Sequence, residues 1–165
     1  YSHYTSKDYA AREMENLWPH VWQMACREEH IAEPGDYQVY DIGHLSAIVT
    51  RTESMEIKAY VNACMHRGTA IKPPGDNGFC QSFRCPFHGW IYSLNGELVE
   101  VPESWDFPHV GAETHSLREI LVDTWAGFVF VNFDREAEGV EQGLGVLRER
   151  CKELDIGDGD IGRQV

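Results

Sequence analysis

The sequence predicts a mostly β protein with a helix at each end. Short apolar runs of strand length recur between residues 22 and 133, and turn residues such as Pro34-Gly35-Asp36 and Asn95-Gly96 separate them. Helical periodicity is confined to the first and last stretches of the chain.

The elements follow in order. Residues 5–18 place Ala10, Met14, Leu17 and Trp18 at helical spacing, with Thr5 and Asp8 resembling a capping box and Pro19 ending the run. That apolar stripe reads as core packing. Trp22, Met24 and Cys26 then alternate with polar residues, the period of a half-buried strand. Residues 37–42, 45–51 and 55–61 read as three strands, joined by turns at Gly43-His44 and Glu53-Ser54. Two loops rich in Cys, His, Gly and Pro follow, residues 62–78 and 84–90. Strand-like pieces at 91–93 and 97–99 flank Asn95-Gly96, a strong hairpin signal because both residues tolerate positive φ. Residues 127–133 form an apolar strand, 140–154 a surface helix, and 155–162 a tail rich in Gly and Asp. No internal repeat is present.

A length of 165 residues suits one domain, with or without a trailing connection. Hydrophobic residues make up 42% and aromatics 12%, enough for a core. The balance of 14 basic to 27 acidic residues, a net charge of −13, argues against nucleic acid and anionic membranes as partners and favours solubility. No apolar run reaches about 18 residues, so no transmembrane helix is expected, and no signal-peptide pattern shows. The cysteines, Cys26, Cys64, Cys80, Cys85 and Cys151, are odd in number and irregular in spacing. Two of them stand beside histidines at ligand spacing, which fits a reducing, cytoplasmic setting and a metal site better than a disulfide framework.

Cys64-Met65-His66-Arg67-Gly68 and Cys85-Pro86-Phe87-His88-Gly89-Trp90 form two knuckles, C-x-H and C-x-x-H, with 18 residues between His66 and Cys85. Each offers one thiolate and one imidazole. A single zinc ion is one way to use all four, but zinc knuckles usually open with paired cysteines. A two-iron cluster explains the mixed pairs better: Cys64 and Cys85 take one iron, His66 and His88 the other. Replacing two thiolates by neutral imidazoles removes two negative charges and makes reduction easier. Around the ligands, Arg67, next to Gly68, is suited to pair with a carboxylate or a partner. Pro86 and Gly89 shape the second loop so that backbone N–H groups point at cluster sulfurs. Trp90 shields the centre from water. Cys26 and Cys151 read as structural.

The two motifs, their order and Trp90 resemble the Rieske domain of ring-hydroxylating oxygenase large (alpha) subunits. Trp22-Gln23-Met24-Ala25-Cys26-Arg27, Gly35-Asp36-Tyr37, Asn62-Ala63-Cys64 and Gly127-Phe128-Val129-Phe130-Val131-Asn132 extend the resemblance over most of the chain. It implies a Rieske iron–sulfur fold, with an antiparallel β-sandwich base carrying a cluster-binding subdomain. The Rieske 2Fe–2S domain would span 1–135, and 136–165 would be a helix and linker toward a catalytic domain absent from this chain. The implied cofactor is a Rieske 2Fe–2S cluster, with mononuclear Fe(II) only in that absent domain. The implied donor is a ferredoxin or a flavin-dependent reductase. The acceptor is the catalytic domain of a neighbouring subunit, in a trimer-based oligomer acting on an aromatic substrate with O₂. The family pattern makes Cys80 a bystander. Because the chain starts at Tyr1 and stops at Val165, near the family's domain boundary, an excised or truncated domain with electron transfer only is expected. The alternative is a stand-alone Rieske-type ferredoxin, a class usually shorter and without the helix bearing Trp18.

Respiratory Rieske proteins carry an extra cysteine in each loop, joined as a disulfide, and a serine at the place of Trp90. Thr69 and Phe87 occupy the cysteine places here, so no bridge is expected. The potential should lie toward the low end of the about −150 to +300 mV known for Rieske centres as a class. Asp106, His109 and His115 spell a D-x-x-H-x5-H pattern near the iron motif of these oxygenases. Pro108 breaks the helix that would carry it, and the family places its iron site far downstream, so no metal is expected there.

Overall fold

Strands account for most of the regular structure in the computed structural model, which describes residues 5–145. After helix α1 (Lys7–Asn16) come β1 (Gln23–Arg27), β2 (Asp36–Ile42), β3 (Leu45–Arg51), β4 (Ile57–Val61) and β5 (Asn77–Phe79). Then follow β6 (Phe83–Arg84), β7 (Ile91–Tyr92), β8 (Leu98–Glu100), the short helix α2 (Ala112–His115), β9 (Glu119–Trp125), β10 (Phe128–Asn132) and α3 (Val140–Gly143). One antiparallel sheet runs β1-β10-β9-β4-β3-β2-β5, and a second runs β6-β7-β8.

The base expected as a sandwich is one sheet curled over itself. The Tyr40 hydroxyl of β2 donates to Gln23 Oε1 of β1 at 2.9 Å, closing the curl between strands far apart in sheet order. Inside it Cys26, Ile31, Ala47, Val49, Ala59, Ile120, Val129 and Val131 form one core. The opposite face of β2–β4 supplies Tyr37, Val39, Ile48 and Tyr60 to a second core, shared with Phe83, Tyr92 and Leu98 of the small sheet and with Trp90 just before β7. Neighbouring residues of β3 thus point into different cores, which is why 45–51 reads as a near-continuous apolar run. Each fully buried Val, Ile, Leu or Phe side chain in the two cores contributes on the order of 1.5–3 kcal/mol.

Several boundaries differ from the sequence reading, each for a local reason. Helix α1 is capped by Ser6, whose hydroxyl accepts from Tyr9 N at 3.3 Å, and not by Thr5. It buries no residue, so its stripe is not core; Met14 lies instead against the Gly43 turn. In β1 a bulge between Met24 and Cys26 breaks the alternation, leaving Met24 53% exposed while Cys26 is buried. Strand β4 starts at Ile57, because Met55 sits in a turn with φ 67°. Strand β9 has no counterpart in the sequence reading. Of the helix expected over 140–154, Val140–Gly143 is helical; the part beyond residue 145, and the tail with Cys151, lie outside the described residues.

Candidate metal centre

The two knuckles share one backbone scaffold. Cys64 N donates to Thr69 O at 2.9 Å and Gly68 N to Cys64 O at 2.8 Å. Cys85 N donates to Trp90 O at 2.8 Å and Gly89 N to Cys85 O at 3.1 Å. In each, the cysteine opens a tight turn that a left-handed glycine four residues on must close, Gly68 at φ 71° and Gly89 at φ 74°. The histidines sit at different offsets on these matching turns, His66 two residues after Cys64 and His88 three after Cys85.

The loops bring their side chains together. The His66 and His88 ring centroids are 4.6 Å apart. Cys64 and Cys85 are both 2% exposed, and Cys85 is near enough to perturb the Cys64 thiol. Burial pushes the Cys64 thiol up; the Tyr92 hydroxyl and the His66 backbone N–H favour its thiolate, and Cys85 opposes it. Burial, then His88 and Arg67, push the His66 imidazole down, which favours the neutral ring a metal ligand requires. Trp90 stacks on His66 at 4.9 Å and 5° between planes, with Phe107 edge-on to both rings. Buried Trp90 therefore walls the histidine side, while His88 and Phe87 face outward, Phe87 at 60% exposure.

The donor set fits a two-iron cluster. His66 Nδ1 is the one buried side-chain nitrogen or oxygen among the described residues without a hydrogen-bond partner. An unpaired buried ring nitrogen is costly unless a ligand takes it. No group of three His, Cys, Asp or Glu among the described residues is placed to hold a single metal ion. A Rieske cluster asks only for a cysteine pair on one iron and a histidine pair on the other.

Other candidates are placed plainly. Asp106 ends a 3-10 turn, His109 is exposed, and His115 pairs its Nδ1 with Thr114 Oγ1 at 2.7 Å beside the edge of Trp90. Cys80 is half-buried and free, its thiol pushed up by burial. Arg67 and Pro86 are exposed on the two loops. Two residues were missed by motif reading. Tyr92 bridges Cys64 Sγ and Met65 N, and Asn62, at the start of the first loop, hydrogen-bonds its far flank at Ile71 and Lys72. Their signals, a tyrosine two residues after Trp90 and an asparagine two before Cys64, carry no ligand chemistry.

A curled antiparallel base and a small three-stranded sheet hold two Cys/His knuckles whose donors suit an iron–sulfur centre. The Rieske [2Fe-2S] domain family matches residues 21–111, and the chain belongs to that family. Its cofactor is the Rieske 2Fe–2S cluster. The chain is 33% identical to the biphenyl 2,3-dioxygenase subunit alpha of Rhodococcus jostii (strain RHA1), over 86% of this chain and 31% of that protein. It is also 33% identical to the benzene 1,2-dioxygenase subunit alpha of Pseudomonas putida, over 86% of this chain and 32% of that protein. A naphthalene 1,2-dioxygenase structure from Rhodococcus sp. superposes with a TM-score of 0.82 at 33% identity, covering 90% of this chain and 34% of that one. The chain thus spans about a third of the length of the curated relatives it matches. Among the described residues no helix is long and apolar enough to cross a membrane.

Proposed function

We propose that Cys64 and Cys85 hold one iron of the cluster, that His66 and His88 hold the other, and that the chain relays single electrons within a Rieske non-haem iron oxygenase. The bound cluster supplies one-electron redox chemistry. The surrounding residues do the rest. The left-handed glycines hold the two turns, Trp90 keeps water from His66, and the Tyr92 hydroxyl meets Cys64 Sγ. His88, exposed beside Phe87, offers a partner its approach to the centre. The observation that carries the ligand assignment is the orphaned His66 Nδ1, buried opposite His88.

In this reading the electron comes from a ferredoxin or a flavin-dependent reductase. It passes to mononuclear iron in the catalytic domain of a neighbouring subunit, in a trimer-based cytoplasmic oxygenase acting on an aromatic substrate. Residues 136–165 lead toward the catalytic domain of their own subunit, a different one from the acceptor. The match to alpha subunits over 86% of the chain favours this over a stand-alone ferredoxin, because it takes in far more than the cluster loops.

The test is reconstitution of the chain with iron and sulfide. A red-brown protein with two irons and two sulfides per chain, and a Rieske-type paramagnetic signal on reduction, is expected. A colourless protein holding one zinc in these ligands would overturn the assignment. A third iron lost in the His109→Ala, His115→Ala double variant would leave that assignment standing but overturn the relay-only role, because it would place catalytic iron in this chain.

A further inference from the structure

The second knuckle is closed by strand pairing: Arg84 pairs with Ile91 and Phe83 with Tyr92 on either side of it. No strand pair flanks the first knuckle, where β4 ends at Val61 and β5 begins only at Asn77. The Asn62 side chain takes the place of the missing rungs. Its Oδ1 accepts from Ile71 N and Lys72 N, both at 3.0 Å, and its Nδ2 donates to Lys72 O at 2.8 Å. The same Nδ2 donates to Ser46 Oγ of β3 at 3.0 Å, and the Asn62 backbone N to Ser46 O at 2.9 Å. Asn62 is 5% exposed, so these bonds replace ladder hydrogen bonds in a dry setting, where an unmade bond is costly.

We infer that Asn62 is a positioning residue for the cluster: one side chain clasps residues 62 and 72 together and ties the loop bearing Cys64 and His66 to the base sheet. The inference rests on the proposed cluster ligation. It predicts a local effect. Without the clasp the first knuckle opens, the second stays closed by its strands, and the cluster is gripped from one side only.

The experiment compares the holo chain with Asn62→Ala and Asn62→Asp. The readouts are iron release to a chelator, the signal of the reduced cluster, and exchange of the Ile71 and Lys72 amide hydrogens. In wild type, absence of a 2Fe–2S signal would sink the ligation proposal itself, before any variant is compared. Asn62→Ala should release iron about tenfold faster or more, broaden the reduced signal, and speed exchange at Ile71 and Lys72 by a similar factor, the loss of roughly one to two net hydrogen bonds. Amides of β9 and β10 should keep their protection. Asn62→Asp keeps the two accepted bonds but sets a buried carboxylate oxygen against Lys72 O, so it should lose iron at least as fast as Asn62→Ala. Unchanged release and exchange in Asn62→Ala would overturn the inference. Equal loss of protection in β9 and β10 would do the same by reducing Asn62 to a general stabiliser, as would an Asp variant that holds iron as well as wild type.

Discussion

The Tyr92 hydroxyl stands 3.2 Å from Cys64 Sγ and accepts a hydrogen bond from Met65 N at 3.1 Å. With its oxygen engaged by that N–H, its proton is directed at the sulfur. Burial raises the phenol's pKa, so it stays a donor. A donor to a thiolate favours the more electron-rich, reduced state. Tyr92→Phe should therefore lower the reduction potential. A hydrogen bond of about 1 kcal/mol, lost chiefly from the reduced form, corresponds to on the order of 40 mV for one electron. Voltammetry of the folded variant checks this; a potential that holds or rises would show that the hydroxyl does not donate to the sulfur.

Ligand replacement tests the histidine pair. His66→Cys adds a thiolate and its charge, so a retained cluster should become harder to reduce. Redox titration followed by visible absorption measures the shift. An unchanged or higher potential would remove His66 from the ligand set.

The paired turn glycines give a stability prediction. A Cβ at Gly68 meets nothing within 4 Å, and one at Gly89 comes within 3.3 Å only of the mobile end of Arg84. Backbone conformation dominates at both. Gly68→Ala and Gly89→Ala should each cost about 1–2 kcal/mol, and Gly68→Asn less than Gly68→Ala, because asparagine tolerates the left-handed region better. Urea unfolding would reveal an error if alanine and asparagine proved equal.

Cys26 supplies a pH dependence. Burial raises its thiol from 9.0 to about 12. A group raised on folding keeps its contribution at low pH and loses it as pH climbs. The contribution of Cys26 should thus be intact below about pH 9 and shrink toward pH 12, where the unfolded thiol ionises first. Alkaline stability should fall less steeply in Cys26→Val than in wild type. Iodoacetamide at pH 8 should leave native Cys26 unmodified and label it after unfolding, as mass spectrometry would register.

Arg67 is exposed beside His66 and has no ion pair among the described residues. On a chain of net charge −13 it gives the cluster edge a local positive charge. Arg67→Glu should slow reduction by an acidic ferredoxin, chiefly at low ionic strength. Lys72, whose ammonium lies 4.1 Å over the Tyr37 ring, is partly engaged in packing, so Lys72→Glu should also lower stability. Stopped-flow rates indifferent to Arg67 and to salt would place docking elsewhere.

The sequence is most legible where chemistry or turn geometry dictates residue type. The knuckles announce themselves because thiolate, imidazole and left-handed glycine admit few substitutes, and the β2–β3 hairpin shows through its apolar runs and Gly43. Strand β9 escapes notice because it is buried at Ile120 but exposed at Glu119 and Thr124, with half-buried residues between. The β1 bulge hides because pairing with β10, and not any local signal, decides it. Asn62 and Tyr92 are invisible to motif reading for a different reason: both act on backbone groups or sulfur brought near by the fold.

Strands β2–β4 serve as a party wall, with Ile48 and Tyr60 on the knuckle side and Ala47 and Val49 on the other. A fragment trimmed to 62–117 would contain all four proposed ligands and none of that wall. Transplanting the electron-carrying centre into another protein therefore means carrying the three-strand partition along with it. For the same reason the two compartments should melt in one step, since neither can lose the wall and leave the other standing.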